Sequence, residues 1–164
     1  MEFIFLNKAE KCKWLPRLFD LLYENMQPIA PMEMPREQAR EAWMAEVGPA
    51  LDKAPRQVIL CLEGECLVGY LQYYVRDTML MVEELQLAKT CRQTTVFLGL
   101  CRYLLRALPA DLETVEAYAD KRNLGSQQLM GRLGMEICQD HTPAHLVHLR
   151  GDAAPIRARF ERRR

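Results

Sequence analysis

The hydrophobic period of the chain changes twice, and that change limits the folds open to it. Trp14, Leu18, Leu21, Leu22 and Met26 recur at helical spacing, as do Ala39, Ala42, Trp43 and Val47. From Val58 the pattern becomes that of strands. Val58–Leu62 is a compact apolar run, and Glu63-Gly64-Glu65 is a turn. Leu67, Gly69, Leu71, Tyr73 and Val75 then alternate with Val68, Tyr70, Gln72 and Tyr74, Arg76-Asp77 turns the chain, and 78–87 is a third strand. These strands are apolar on both faces, so both faces should be covered. Beyond them helices and strands alternate: a helix through Val96, Leu100, Leu104 and Leu108, a strand over 114–119, a helix from Asn123 to Leu133, and last strands over 135–138 and 145–149.

With Glu2–Leu6 as a first strand, the order is β-α-α-β-β-β-α-β-α-β-β. It predicts an α/β protein with a mixed sheet and helices on both faces. Length 164 with no repeat or linker predicts one domain over 1–150, followed by a basic tail over 151–164. Local signals mark the helix ends. Asn7 with Glu10 reads as a capping pair, Pro16 as a break, Pro35 as a first-turn residue, and Gly48-Pro49 as a stop. Thr94 or Thr95 can cap the third long helix, and Asn123 and Gly134 bracket the fourth.

The formal net charge is zero, which excludes a basic surface of the kind that grips nucleic acid. The Arg-rich stretch 157–164 reads as a solvated terminus rather than a nucleic-acid arm. No apolar run is long enough to cross a bilayer, and the start of the chain lacks the basic, extended apolar pattern of a secretory leader. Six cysteines without a CxxC pair predict reduced, buried thiols in a cytoplasmic protein. His141, His145 and His148 do not make a metal site, because His145 and His148 would point to opposite sides of a strand. Tyr70, Tyr73 and Tyr74 read as packing residues.

Two segments carry more specific information. Residues 82–97, VEELQLAKTCRQTTVF, form an acidic strand followed by a turn into a helix, and unpaired N–H groups at a helix start attract phosphate. Residues 123–135, NLGSQQLMGRLGM, form a capped helix closed by glycine. In register and order the chain resembles the GNAT acyltransferases, over nearly its whole length. The resemblance implies acetyl-CoA as co-substrate, no metal, and an amine of a small molecule or peptide as acceptor. A homodimer through the C-terminal strands is compatible with it.

Carried over residue by residue, the resemblance assigns the coenzyme to Leu85, Leu87, Arg92, Gln93, Thr94, Thr95, Val96, Phe97, Asn123 and Ser126. The backbone of Leu85 to Leu87 would polarise the thioester carbonyl. Glu83 matches the position of an acidic general base, with Glu84 second. As neighbours in a strand the two should face opposite sides. Thr95 and Phe97 stand where the family has small residues, and Met130 where many members have a Tyr that protonates the leaving thiolate. A thioether donates no proton, so Tyr118 on the preceding strand is the candidate substitute. Arg92, Lys121 and Arg122 would supply local positive charge for the coenzyme, and the two glutamates an acidic cleft for a cationic amine. The other reading keeps the fold but not the transfer: a binding or regulatory module.

Overall fold

A computed structural model describes all residues except 54, 93, 140–141 and 162–164. His141 and Gln93 therefore lie outside the described residues. The seven strands are β1 (Glu2–Phe5), β2 (Gln57–Glu63), β3 (Cys66–Arg76), β4 (Met79–Leu87), β5 (Thr114–Asp120), β6 (Glu136–Cys138) and β7 (Leu146–Asp152). The helices are α1 (Lys11–Met26), α2 (Arg36–Asp52), α3 (Thr94–Ala107), α4 (Leu124–Leu133) and α5 (Ala153–Glu161). The strands form one sheet in the order β1-β2-β3-β4-β5-β7-β6, antiparallel except for the central β4–β5 pair.

Alternation along β2 builds two cores. Val58, Leu60 and Leu62 point to one face and pack on Trp14, Leu15, Leu18 and Leu21 of α1 and Leu51 of α2. Ile59 points to the other face, where Leu71, Leu80, Val115, Ala117 and Leu149 pack under Leu100 and Leu104 of α3 and Ile156 and Phe160 of α5. The sheet is thus covered on both faces over its centre. Losing a side chain such as Leu18, which is fully buried, leaves a void worth roughly 2–5 kcal/mol.

Both prolines read as helix breakers lie inside helices. Pro16 leaves only the carbonyl of Cys12 without its helical donor, and Cys12 is exposed, so water can serve it. Asn7 caps a short 3-10 turn over Lys8–Glu10, accepting from the Ala9 N–H, and no return bond from Glu10 accompanies it. The second helix runs through Gly48-Pro49 to Asp52 because Leu51 buries its side chain against α1, and Lys11 ties the end by bonding Asp52 and the Gly48 carbonyl.

The C-terminal stretch is also corrected. Residues 153–161 form α5, with Ala153, Ile156 and Phe160 buried; the apolar residues at i, i+3 and i+7 outweigh the arginines between them. Arg159 bonds the Arg132 carbonyl and Arg157 that of Pro109, both at 2.6 Å, so these side chains staple the helix to the body. Cys61, Cys91 and Cys101 are buried, whereas Cys12 and Cys66 are exposed; all six cysteines are free thiols.

Candidate active site at the parting of two strands

The β4–β5 ladder is short. It pairs Met79 with Thr114, Leu80 with Val115, Met81 with Glu116 and Val82 with Ala117, and then stops. Beyond that point β4 continues beside β3 to Leu87, while β5 continues beside β7 to Asp120. The central strands therefore part into a cleft with β4 backbone on one wall. The parting has a local cause. In the β3–β4 ladder Gln72 pairs with Glu84 and Tyr73 with Val82, so Glu83 is the extra residue of a β-bulge. A bulge bends its strand and raises its twist, which carries the far half of β4 away from β5.

The bulge also overturns the expectation that Glu83 and Glu84 face opposite sides. An extra residue shifts the alternation by one, so both carboxylates lie on the face covered by α1 and α2. Leu85 and Leu87 pack with the α3 core. Glu83 lies against Gln72 of β3, whose Nε2 donates to it at 2.9 Å. Arg56 grips it from the β2 end: Nε is 2.9 and 2.8 Å from the two carboxylate oxygens, and Nη2 is 2.8 Å from one of them. The Arg56 guanidinium lies over the Tyr74 ring, and its pKa is raised by its bond to Glu83. Both oxygens of Glu83 are thus engaged by a cation, and one of them also by an amide.

Glu84 is in a different situation. Burial raises its pKa, with the nearby Glu83 charge adding to the effect, while the Gln86 amide donating at 2.7 Å opposes it. Gln86 in turn accepts from Asn25 Nδ2 of α1 at 2.8 Å. Asn25 also donates to the Leu87 carbonyl at 3.0 Å and accepts from Arg92 Nη2 at 2.6 Å. Arg92 can only donate, so it fixes the Asn25 oxygen towards itself, which turns the Asn25 amide to Gln86 and the Gln86 amide to Glu84. A directed chain of hydrogen bonds therefore runs from the turn before α3 to the carboxylate. Tyr70 completes this face. Its hydroxyl is buried with no hydrogen-bond partner among the described residues, and its pKa is pushed well up by burial and by Glu84.

On the far wall, Val115, Ala117 and Ala119 point into the α3 core, which leaves Glu116 and Tyr118 on the α1 face. Tyr118 is half-exposed and stacks on His148 of β7, with ring centres 4.7 Å apart. His148 Nε2 is 3.1 Å from Glu116, which also has Arg150 at 3.5 Å. Tyr118 follows Ala117, the last residue of the shared ladder, so it stands across the cleft from the bulge. Glu83, Glu84 and Tyr118 thus share one sheet face around the parting.

The coenzyme candidates gather at the same end. Leu85 and Leu87 line the β4 wall. Arg92 follows a 3-10 turn, Lys89–Cys91, and its Nε reaches back to the Leu87 carbonyl at 3.3 Å. Helix α3 begins at Thr94, with Thr95 exposed in its first turn and Val96 behind it. Phe97 turns inward to pack edge-on against Phe160, ring centres 6.0 Å apart, so it does not stand over the helix start. Asn123 caps α4 by accepting from the Ser126 N–H at 3.1 Å, and Gly134 closes the helix at φ +96°. Before the cap, Asp120 binds the Arg122 backbone and guanidinium, which lowers its pKa to about 2. Asn123 Nδ2 also lies 4.0 Å from Met26 Sδ at the end of α1, so the loop over 27–35 leaves α1 beside the α4 start. Met130 is buried.

Sequence reading missed Asn25, Arg56, Gln72 and Gln86. The signal was there: Gln72 and Gln86 interrupt strands that are apolar on both faces, and a buried amide needs partners. Among the described residues no group of three or more His, Cys, Asp or Glu side chains is placed to hold a metal ion.

Comparison with known proteins places this arrangement in a fold family. No family model matches the sequence, and no curated protein matches it. Solved structures match closely in shape. The PaiA N-acetyltransferase of Thermoplasma acidophilum, solved in complex with coenzyme A, is 11% identical with a TM-score of 0.68, covering 93% of this chain and 99% of that one. An acetyltransferase from Thermus thermophilus is 16% identical with a TM-score of 0.68, covering 93% and 97%. A GNAT-family acetyltransferase from Staphylococcus aureus is 9% identical with a TM-score of 0.70, covering 92% and 98%. The fold is that of the GNAT acetyltransferases, as the sequence register implied.

Proposed function

We propose that the chain is an N-acyltransferase that moves an acyl group, acetyl in the simplest case, from coenzyme A to an amine of a small molecule or peptide. The observation that carries this reading is the parting of β4 from β5 at a bulge that holds two carboxylates. Backbone N–H groups on the free edge of β4 would meet the thioester oxygen and stabilise the charge that develops on it. The pyrophosphate would lie at the α3 start, near Arg92 and Thr95.

The acceptor amine would enter from the α1 side, beside the loop over 27–35. Glu84, directly or through water, takes the proton of the amine. The nitrogen attacks the thioester carbon, the C–N bond forms and the C–S bond breaks. The leaving thiolate takes a proton from the Tyr118 hydroxyl, which regains one from solvent. Glu84 is favoured over Glu83 as the base because Arg56 and Gln72 already hold the lone pairs of Glu83. A raised pKa brings Glu84 closer to the pH at which a base works best.

A cytoplasmic setting suits the free thiols. Release of free thiol from acetyl-CoA across a panel of amines tests the activity. Turnover with at least one cationic amine, lost in Glu84→Gln, supports it; no thiol release with any amine contradicts it. One observation favours the second reading, a binding module: Met130 offers no proton at the position the family uses for the thiolate. That module would bind coenzyme A weakly or not at all and would transfer nothing.

A further inference from the structure

An apolar cavity of about 70 Å³ lies between the sheet, α3, α4 and α5. It is lined by apolar side chains, with Cys101 and with Arg157, whose guanidinium is held at the Pro109 carbonyl. It reaches Leu85 on the parted half of β4 and runs beneath α3 past Cys101 and Leu104. Protein interiors seldom leave such space unfilled. A wholly apolar void also does not hold water well; it suits an apolar guest.

Two of the side chains on its wall are Phe97 and Met130. These are positions at which the chain departs from the family pattern, Phe97 replacing a small residue and Met130 a tyrosine. Both departures have the same consequence here. Phe97 turns away from the helix start and presents a ring to the cavity, and Met130 replaces a hydroxyl with a flexible thioether that can follow the shape of a guest. Leu85, on the parted half of β4 beside which the proposed thioester would sit, is thus one wall of the cavity.

We propose that this cavity receives the acyl chain of the donor, and that the preferred donor is a short-chain acyl-CoA of about four carbons rather than acetyl-CoA. The inference rests on the acyltransferase reading and specifies its substrate. A cavity in which one water would take ~10–15 Å³ has, at about 70 Å³, room for several heavy atoms, which accommodates the two extra methylenes of a butyryl group. The chemistry is unchanged: the C–S bond of the thioester breaks, the C–N bond forms, and the amine proton is balanced by the one that ends on the coenzyme thiol.

The test is calorimetric titration of the full chain with coenzyme A, acetyl-CoA, butyryl-CoA and decanoyl-CoA, which needs no knowledge of the acceptor. Two buried methylenes at ~0.8 kcal/mol each predict that butyryl-CoA binds roughly tenfold to fifteenfold more tightly than acetyl-CoA. Decanoyl-CoA should fall back towards the acetyl value, because the chain exceeds the space. Cys101→Phe fills the cavity and should erase the butyryl preference. If that variant does not fold, Leu104→Ala serves instead and should move the preference to longer chains. Equal or weaker binding of butyryl-CoA by the unaltered protein overturns the chain-length inference alone. Absence of binding by all four ligands overturns both it and the acyltransferase reading.

Discussion

Two carboxylates joined by one peptide bond meet different fates in this protein. Glu83 is locked by the Arg56 fork and by Gln72, whereas Glu84 is half-buried, accepts from the Gln86 amide and the Leu85 backbone N–H but faces no cation, and has its pKa raised. Only a group whose lone pairs are free can accept a proton from an amine. Glu84→Gln should therefore lower transfer by roughly 10²–10⁴-fold, measured as thiol release at saturating donor. Transfer by the unaltered protein should rise with pH as Glu84 ionises through its raised pKa, and the Gln variant should lose that limb of the profile. The same shift has a sign for stability. A carboxyl with a raised folded pKa favours the folded state below its unfolded pKa and ceases to do so as pH rises through the folded one. Glu84→Gln should thus unfold at a higher temperature than the parent at neutral pH. Asp120 behaves oppositely: its pKa, lowered to about 2 by Arg122, gives stability that is present above the unfolded value and lost as pH falls towards 2. Asp120→Asn should flatten the acid limb of a thermal-unfolding profile over that window. None of this residue-level detail follows from the sequence reading, because strand alternation put Glu83 and Glu84 on opposite faces and only the bulge brings them together.

Helix α4 shows how legible an element can be. Asn123, Ser126 and Gly134 mark its ends in sequence, and the structure places the cap and the left-handed closure at those residues. Asn123→Ala should cost about 0.5–2 kcal/mol of unfolding free energy, read by denaturant titration, and should weaken coenzyme binding by misplacing the α4 start. The end of β4 is less legible. A side chain at Gly69 would meet the Leu87 side chain at 2.4 Å and the Gln86 carbonyl at 3.0 Å. Gly69→Ala should therefore push the last residues of β4, with the Gln86 bond to Glu84, and lower transfer more than it lowers thermal stability. The helices containing Pro16 and Pro49 were hardest to read. Their local signals say stop, and burial of Leu51 and the apolar face of α1 overrides them. Helix α5 was hidden for a similar reason: five arginines dominate the stretch 157–164, while Ile156 and Phe160 decide where it packs.

At the scale of the molecule, the order of elements was readable because each face of the sheet leaves its own period in the chain. The cleft was not, since a parting of strands depends on a register shift that no single residue announces. The solved acetyltransferases share the overall shape at 9% to 16% identity, which is a likeness of fold. The zero net charge also takes on structure. Glu83 is neutralised locally by Arg56 and Arg122 by Asp120, so much of the balance is met in pairs, and in the proposed reading Glu84 would face the acceptor and Arg92 the coenzyme. That this cleft holds an acyl-CoA is the claim on which the rest depends, and calorimetric titration of the full chain reads it without an acceptor. Saturable binding of one acyl-CoA per chain is expected, competed by free coenzyme A and weakened in Arg92→Ala. No heat and no thermal shift at millimolar acyl-CoA of any chain length would contradict it.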